Sequence, residues 1–384
     1  MTPNRITWLA KGFRPFFLLS GVFGALVAPL WMLVFTGRTA PAGPLQGILW
    51  HAHEMVYGFT LGVVAGFLLT AVTNWTGRET AVGPSLGLLA LVWTAARLLL
   101  LLVPGWAGAV VDLLFVPLVA LAIARPLLAT GRRRNYPFVV LLGLLWATDL
   151  VVWADVAGYA TGWALPAMRA AVMLVAVVIL MITGRVVPMF TRNATGAQGI
   201  RNLVPADVVA LAATASLVPL ELLGAPSWSP ALYVVAGLAV FVRMTPWGTR
   251  HALRQPLLWV LHLGHASVGL GLVLRGLAPW WGLTPSAALH AVTVGGIGLL
   301  TLGMMSRVAL GHTGRPIRVG PVVAGTFVAL ALAVVARVVV PWWWPEATLD
   351  GLWAAALLWA AGFAVYSALY LPVLVAPRVD GRPG

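Results

Sequence analysis

Cysteine is absent from the 384-residue chain. That excludes disulfides, thiolate ligation of haem, iron–sulfur clusters and covalent haem attachment through a CxxCH motif. Charge is nearly as scarce. Only 9% of residues are Asp, Glu, Lys or Arg, and only 10 are acidic, against 61% hydrophobic residues. A soluble domain carries about 25% charged residues, so a water-soluble globule is excluded. No small-residue cleavage site follows the first apolar run, which therefore reads as a retained helix.

What the chain has instead is a series of continuous apolar runs longer than the ~18 residues a bilayer core requires. They do not alternate as barrel strands would, and helices satisfy every backbone group in lipid. Segmentation at turn residues and arginine clusters predicts an all-α polytopic membrane protein of 12 transmembrane helices, near 13–36, 45–74, 84–103, 107–129, 136–158, 164–190, 204–223, 229–245, 256–278, 285–309, 320–340 and 350–373.

The net charge of +14 would suggest nucleic acid in a soluble protein. Here 19 of the 24 basic residues lie at the two termini or around the loops after helices 2, 4, 6, 8 and 10, so the partner is the lipid bilayer and not nucleic acid. The positive-inside rule then places both termini in the cytoplasm.

A repeat is visible. Helices 1, 5 and 9 open alike on Pro15, Pro137 and Pro256, spaced 122 and 119 residues apart. Helices 2 and 10 share an ungapped register in which His53, Gly58 and Thr76-Gly77-Arg78 match His290, Gly295 and Thr313-Gly314-Arg315. The expected organisation is a single integral-membrane domain, 1–384, built of three parallel four-helix repeats of about 119 residues with units 11–132, 133–251 and 252–376.

The seven histidines carry the chemistry. His51, His53 and Glu54 occupy one turn of helix 2, and His290 lies at a matching depth in helix 10. His262 and His312 lie toward the opposite face. Ionisable groups at depth are costly and want partners, and neutral imidazole is the commonest metal ligand. His51 and His53 point to opposite helix faces, with Glu54 on the face of His51 and Tyr57 on that of His53. Arg97, Asp112, Asp149, Asp155 and Arg169 fall in the half of the bundle that holds His53, where they pair between helices, anchor acidic groups of a cofactor or pass protons. Gly58, Gly62 and Gly66 form a small-residue ridge for close helix packing.

Five stretches together resemble the NnrS family: KGFRPFFLL (11–19), WHAHEMVYGF (50–59), AGFLLTAVTNWTGR (65–78), GRVVPMFTRNA (184–194) and ALHAVTVGGIGLLTLGMMSRVALGHTGR (288–315). The resemblance implies a twelve-helix inner-membrane protein carrying haem and copper that serves tolerance to nitric oxide and nitrosative stress, often alongside denitrification. Within it, His53 and His290 are the expected axial ligands of a haem b, since the repeat would set them facing one another. His51, with Glu54, is expected to take copper or a second haem, and His262 with His312 a second site. Arg97 and Arg169 are expected to anchor propionates, and Glu54, Asp112, Asp149 and Asp155 to supply a proton path. The family pattern often has an aromatic residue where His265 stands, which sets His265 outside the expected ligands. Nitric oxide would be bound or reduced, the latter with a quinol or other membrane electron donor. The alternatives are a non-catalytic sensor or a secondary transporter of a metal ion or small anion.

Overall fold

The computed structural model describes residues 7–224 and 226–382. It is all-helical, with no strand among the described residues. Among the described residues twelve helices are long and apolar enough to cross a membrane: α1 Phe13–Phe35, α2 Gly47–Thr76, α3 Pro84–Leu102, α4 Ala107–Ala129, α5 Arg133–Val156, α6 Ala164–Thr195, α7 Val204–Leu223, α8 Ser229–Trp247, α9 Pro256–Trp281, α10 Pro285–His312, α11 Pro321–Trp343 and α12 Pro345–Val375. All twelve expected helices are present, most with ends within three residues of the sequence reading. The last starts five residues early because Pro345–Ala347 already forms a helical turn.

Helix α6 runs five residues past its expected end, through Pro188. Proline removes an amide and frees the carbonyl four residues earlier. That carbonyl, on Gly184, accepts instead from Asn202 Nδ2 at 2.6 Å. Pro117 in α4 is handled the same way, with Trp146 Nε1 donating to the Leu113 carbonyl at 3.0 Å. In hydrocarbon such groups must find protein partners, so these side chains let both helices continue.

The chain forms two compact units. The first comprises Met1–Met168, Met305–Ile317 and Tyr366–Gly384. In it α2 packs against α1 and α4, and α4 against α3 and α5. The glycine ridge serves this packing as expected. A Cβ at Gly66 would lie 2.8 Å from Phe16 Cβ, and one at Gly62 would collide with Ser20 Oγ. The fully buried Arg14 donates to the carbonyls of Leu374 and Ala376 at 2.7 and 2.8 Å, tying the chain's two ends together. The second unit comprises Arg169–Met304 and Arg318–Val365, where α9 packs against α8 and α10, α7 against α8 and α11 against α10.

Both α2 and α10 widen into a π turn directly after the histidine of the shared register. Glu54–Thr60 follows His53, and Ala291–Gly298 follows His290. Such widenings recur at functional sites. A third, Val335–Val339, carries Arg337 in α11.

Candidate metal centre

Four helices of the first unit each send charge to one buried point. His53 and Glu54 come from α2, Arg97 from α3, Asp112 from α4 and Asp149 from α5, and none is more than 5% exposed. Glu54 Oε1 lies 3.1 Å from His53 Nδ1 and accepts from Arg97 Nη1 at 2.9 Å. The other end of the Arg97 guanidinium, Nη2, holds Asp112 Oδ1. His53 Nε2 lies 3.0 Å from Asp112 Oδ2 and 3.2 Å from Asp149 Oδ1.

Two features of this arrangement decide what it can do. The first is charge. Three carboxylates face one guanidinium, a formal deficit of two positive charges with the carboxylates ionised and His53 neutral, in a setting where a lone buried charge is strongly unfavourable. The second is valence. One Nε2 hydrogen cannot serve two carboxylates, and Asp112 Oδ2 makes no well-aligned hydrogen bond. A divalent cation answers both, with His53 Nε2, Asp112 Oδ2 and Asp149 Oδ1 as ligands. These three residues form the one group of such donors among the described residues whose ligand atoms all fall within 4.8 Å of one another. Ligands at about 2.1 Å in tetrahedral array are about 3.4 Å apart, so small adjustments suffice. Glu54 would then accept the Nδ1 hydrogen and fix the tautomer, an outer contact typical of ligating histidines.

The same geometry does not suit axial ligation of haem by His53. Its ring is fully buried, packed 5.0 Å from Tyr57 and 5.3 Å from Trp153 between ring centroids, and both nitrogens face carboxylates. Glu54 also departs from expectation, meeting His53 rather than His51. The π turn that starts at Glu54 alters the usual angular spacing of side chains there, and Arg97 holds the carboxylate. Gly58 makes this possible, because a Cβ there would come within 2.9 Å of Arg97 Nη1.

The remaining expected site residues lie elsewhere. Asp155 Oδ2 accepts from the Ala164 amide at 2.6 Å, so it caps α6 and stands outside the cluster. Of the two arginines, Arg97 is engaged as described and Arg169 gives its Nε to Glu221 Oε2 at 2.8 Å. His51 stacks on Trp31 at 4.5 Å. His290 Nδ1 lies 2.7 Å from its own helix's Ser286 carbonyl. His312 packs on Phe13 at 5.6 Å in the first unit, whereas His262 belongs to the second.

Sequence reasoning named Arg169 and His262 singly but missed the two groups they belong to in the second unit. Glu221 collects Arg169, Arg275 and the Tyr233 hydroxyl. His262, His265, Arg243 and Trp247 form the other. The signal for both was an acidic residue in an apolar helix, Glu221 and Asp207, each needing a cation. The Arg243–Asp207 pair closes at 2.7 Å.

No curated protein matches the chain. A family model described as NnrS protein matches residues 7–378, and the chain therefore belongs to the NnrS family.

Proposed function

We propose that this protein holds a divalent first-row metal ion on His53, Asp112 and Asp149, and that nitric oxide binds at that centre as part of the nitric oxide response that family membership fits. The observation that carries the reading is the meeting of three buried carboxylates and one imidazole with a single guanidinium, a formal double negative charge when the imidazole is neutral, which one divalent cation resolves. One imidazole and two carboxylates are hard to borderline donors, suited to Fe(II), Mn(II), Zn(II) or Cu(II) and unsuited to Cu(I). Copper is thus compatible in its divalent form. A haem b, if present, takes its ligand from another histidine.

Bound there, a redox-active ion supplies a coordination position for a diatomic ligand. The protein's own part is to hold that position. Arg97 clamps Glu54 and Asp112, Glu54 orients the imidazole, and Tyr57 and Trp153 close around it. Nitric oxide is small and apolar and reaches the site through the bilayer. The Tyr57 hydroxyl donates to Thr148 Oγ1, which donates to the Leu145 carbonyl. That branch ends on backbone and holds the Tyr57 ring in place against the imidazole. Reduction would require protons and electrons from a donor such as a quinol. We place the protein in the bacterial inner membrane with both termini in the cytoplasm, on the asymmetry of its arginines.

The test is the metal content of purified protein together with its response to nitric oxide. Wild type should carry one divalent ion per chain whose spectrum changes with the gas, and D112N and D149N should each lose it. Full metal retention in both variants, or an ion indifferent to nitric oxide, would overturn the reading.

A further inference from the structure

The second unit holds a fully buried histidine with opposite surroundings. His265 Nδ1 lies 2.9 Å from Thr183 Oγ1, and that hydroxyl gives its single hydrogen to the Ile179 carbonyl at 2.7 Å. Thr183 can therefore only accept, so Nδ1 carries the hydrogen and Nε2 is left as a bare lone pair. Nε2 finds no hydrogen-bond partner among the described residues. His262, one turn away, is the contrast. Thr191 gives its hydrogen to Val187, so His262 Nε2 donates to Thr191 and its Nδ1 accepts from Thr249. His262 is saturated and His265 is not.

Two buried donors in the same packed group are also unmatched. Trp247 is fully buried 4.6 Å from the His265 ring, and its Nε1 has no partner among the described residues. Arg243, 1% exposed, lies with its guanidinium carbon 5.4 Å from the Trp247 ring. Its Nε goes to Asp207 and its Nη2 to the Leu180 carbonyl, while Nη1 is unmatched. Gly184 gives the guanidinium its place, since a Cβ there would collide with Nη2. Each unmatched buried polar group carries a substantial penalty and calls for a ligand. A cation does not fit beside a guanidinium and an indole N–H.

We propose that Arg243, Trp247 and His265 form a binding site for a small monovalent inorganic anion, taken up together with one proton. The anion accepts from Arg243 Nη1 and Trp247 Nε1. The proton comes from solvent and binds His265 Nε2, which then donates the third hydrogen bond. The charged or titratable groups around His265 are Arg243 from α8, Asp207 from α7 through its pair with Arg243, and His262 on its own helix. Asp207 already balances Arg243, so an anion with one proton leaves the site neutral.

Nitrate is the suitable probe, because it does not titrate near neutral pH and every proton taken up belongs to the protein. Calorimetry on the full chain in detergent, in two buffers of different ionisation heat at a pH about one unit above the ordinary imidazole value, should show about one proton taken up per nitrate bound. W247F keeps the ring and removes one donor, so it should weaken binding about five- to tenfold with the proton count unchanged. H265F should lose both binding and proton uptake. H265Q, which keeps an N–H donor, should bind with no proton, and it retains the test if H265F fails to fold. H262F should bind like wild type. Absence of nitrate binding, binding without proton uptake in the wild type, or an H265F protein equal to wild type would overturn the site. So would a haem absorption band that H265F abolishes, since it would assign the lone pair to iron.

Discussion

The buried histidines of the two units differ in what surrounds them, and the difference shows how context sets the chemistry of one side chain. His53 sits among three carboxylates and one arginine, contributed by four helices. His265 sits among a hydroxyl, an indole and a guanidinium already paired with Asp207. The first cluster has a surplus of negative charge and competing acceptors, so it calls for a cation. The second has a surplus of donors, so it calls for an anion. Both follow from one rule of low-dielectric interiors, that unmatched polar groups and charges are strongly unfavourable.

Breaking the charge balance of the first cluster should have the largest effect. Arg97→Gln leaves three buried carboxylates without a cation, and loss of one partner of a buried pair destabilises by about 3–5 kcal/mol. The metal-free variant should show a large fall in thermal unfolding temperature in detergent, and added divalent ion should recover part of it. Equal stability with and without metal would break the contrast drawn between the units.

A smaller effect is expected from filling the space beside that cluster. Gly58→Ala places a methyl group against Arg97 Nη1, 2.9 Å away, and Glu54 Oε2, 3.1 Å away. Overpacking of this kind costs about 1–3 kcal/mol, and bound metal should weaken with it because Arg97 positions both Glu54 and Asp112. Titration with the ion checks this, and unchanged affinity would mean the clamp is not needed.

In the second unit, Thr183→Val removes the acceptor that fixes the His265 tautomer. The loss is about 1–3 kcal/mol for an unsatisfied buried group, less where the ring changes tautomer. The nitrogen-15 shifts of the imidazole should change in this variant and stay unchanged for His265 in Thr191→Val.

The smallest effect lies outside the membrane. Arg378 pulls the Asp380 carboxyl down to about 2 from its ordinary 3.8. A depressed carboxyl stabilises the fold above its ordinary value, and that contribution is lost as pH falls through the window from 3.8 to about 2. The group is exposed, so Asp380→Asn should change stability near neutral pH only slightly, with the difference from wild type vanishing at the bottom of that window.

Much of this was legible in the sequence. Apolar run length and arginine placement gave the twelve helices, because backbone satisfaction in lipid leaves few options. The quoted turn WHAHEM marked His53 and Glu54, and the rarity of acidic residues marked Asp112 and Asp149. What the sequence withheld was direction. Helical spacing put Glu54 with His51, and only the π turn and Arg97 show its carboxylate at His53. Asp155 read like Asp149 until its oxygen was found on the Ala164 amide. The family pattern set His265 apart from His262 as a ligand, but which of its ring nitrogens is bare follows only from the carbonyl each threonine hydroxyl serves, a contact that spacing along the chain does not encode.

The most direct test of the central claim is X-ray absorption at the metal edge of the purified protein. The account predicts, for the ion held by His53, one imidazole and oxygen ligands at about 2.0–2.2 Å with no sulfur, and loss of oxygen scattering in D149N. A porphyrin pattern that disappears when His53 is replaced, or no metal bound at His53 at all, would contradict it.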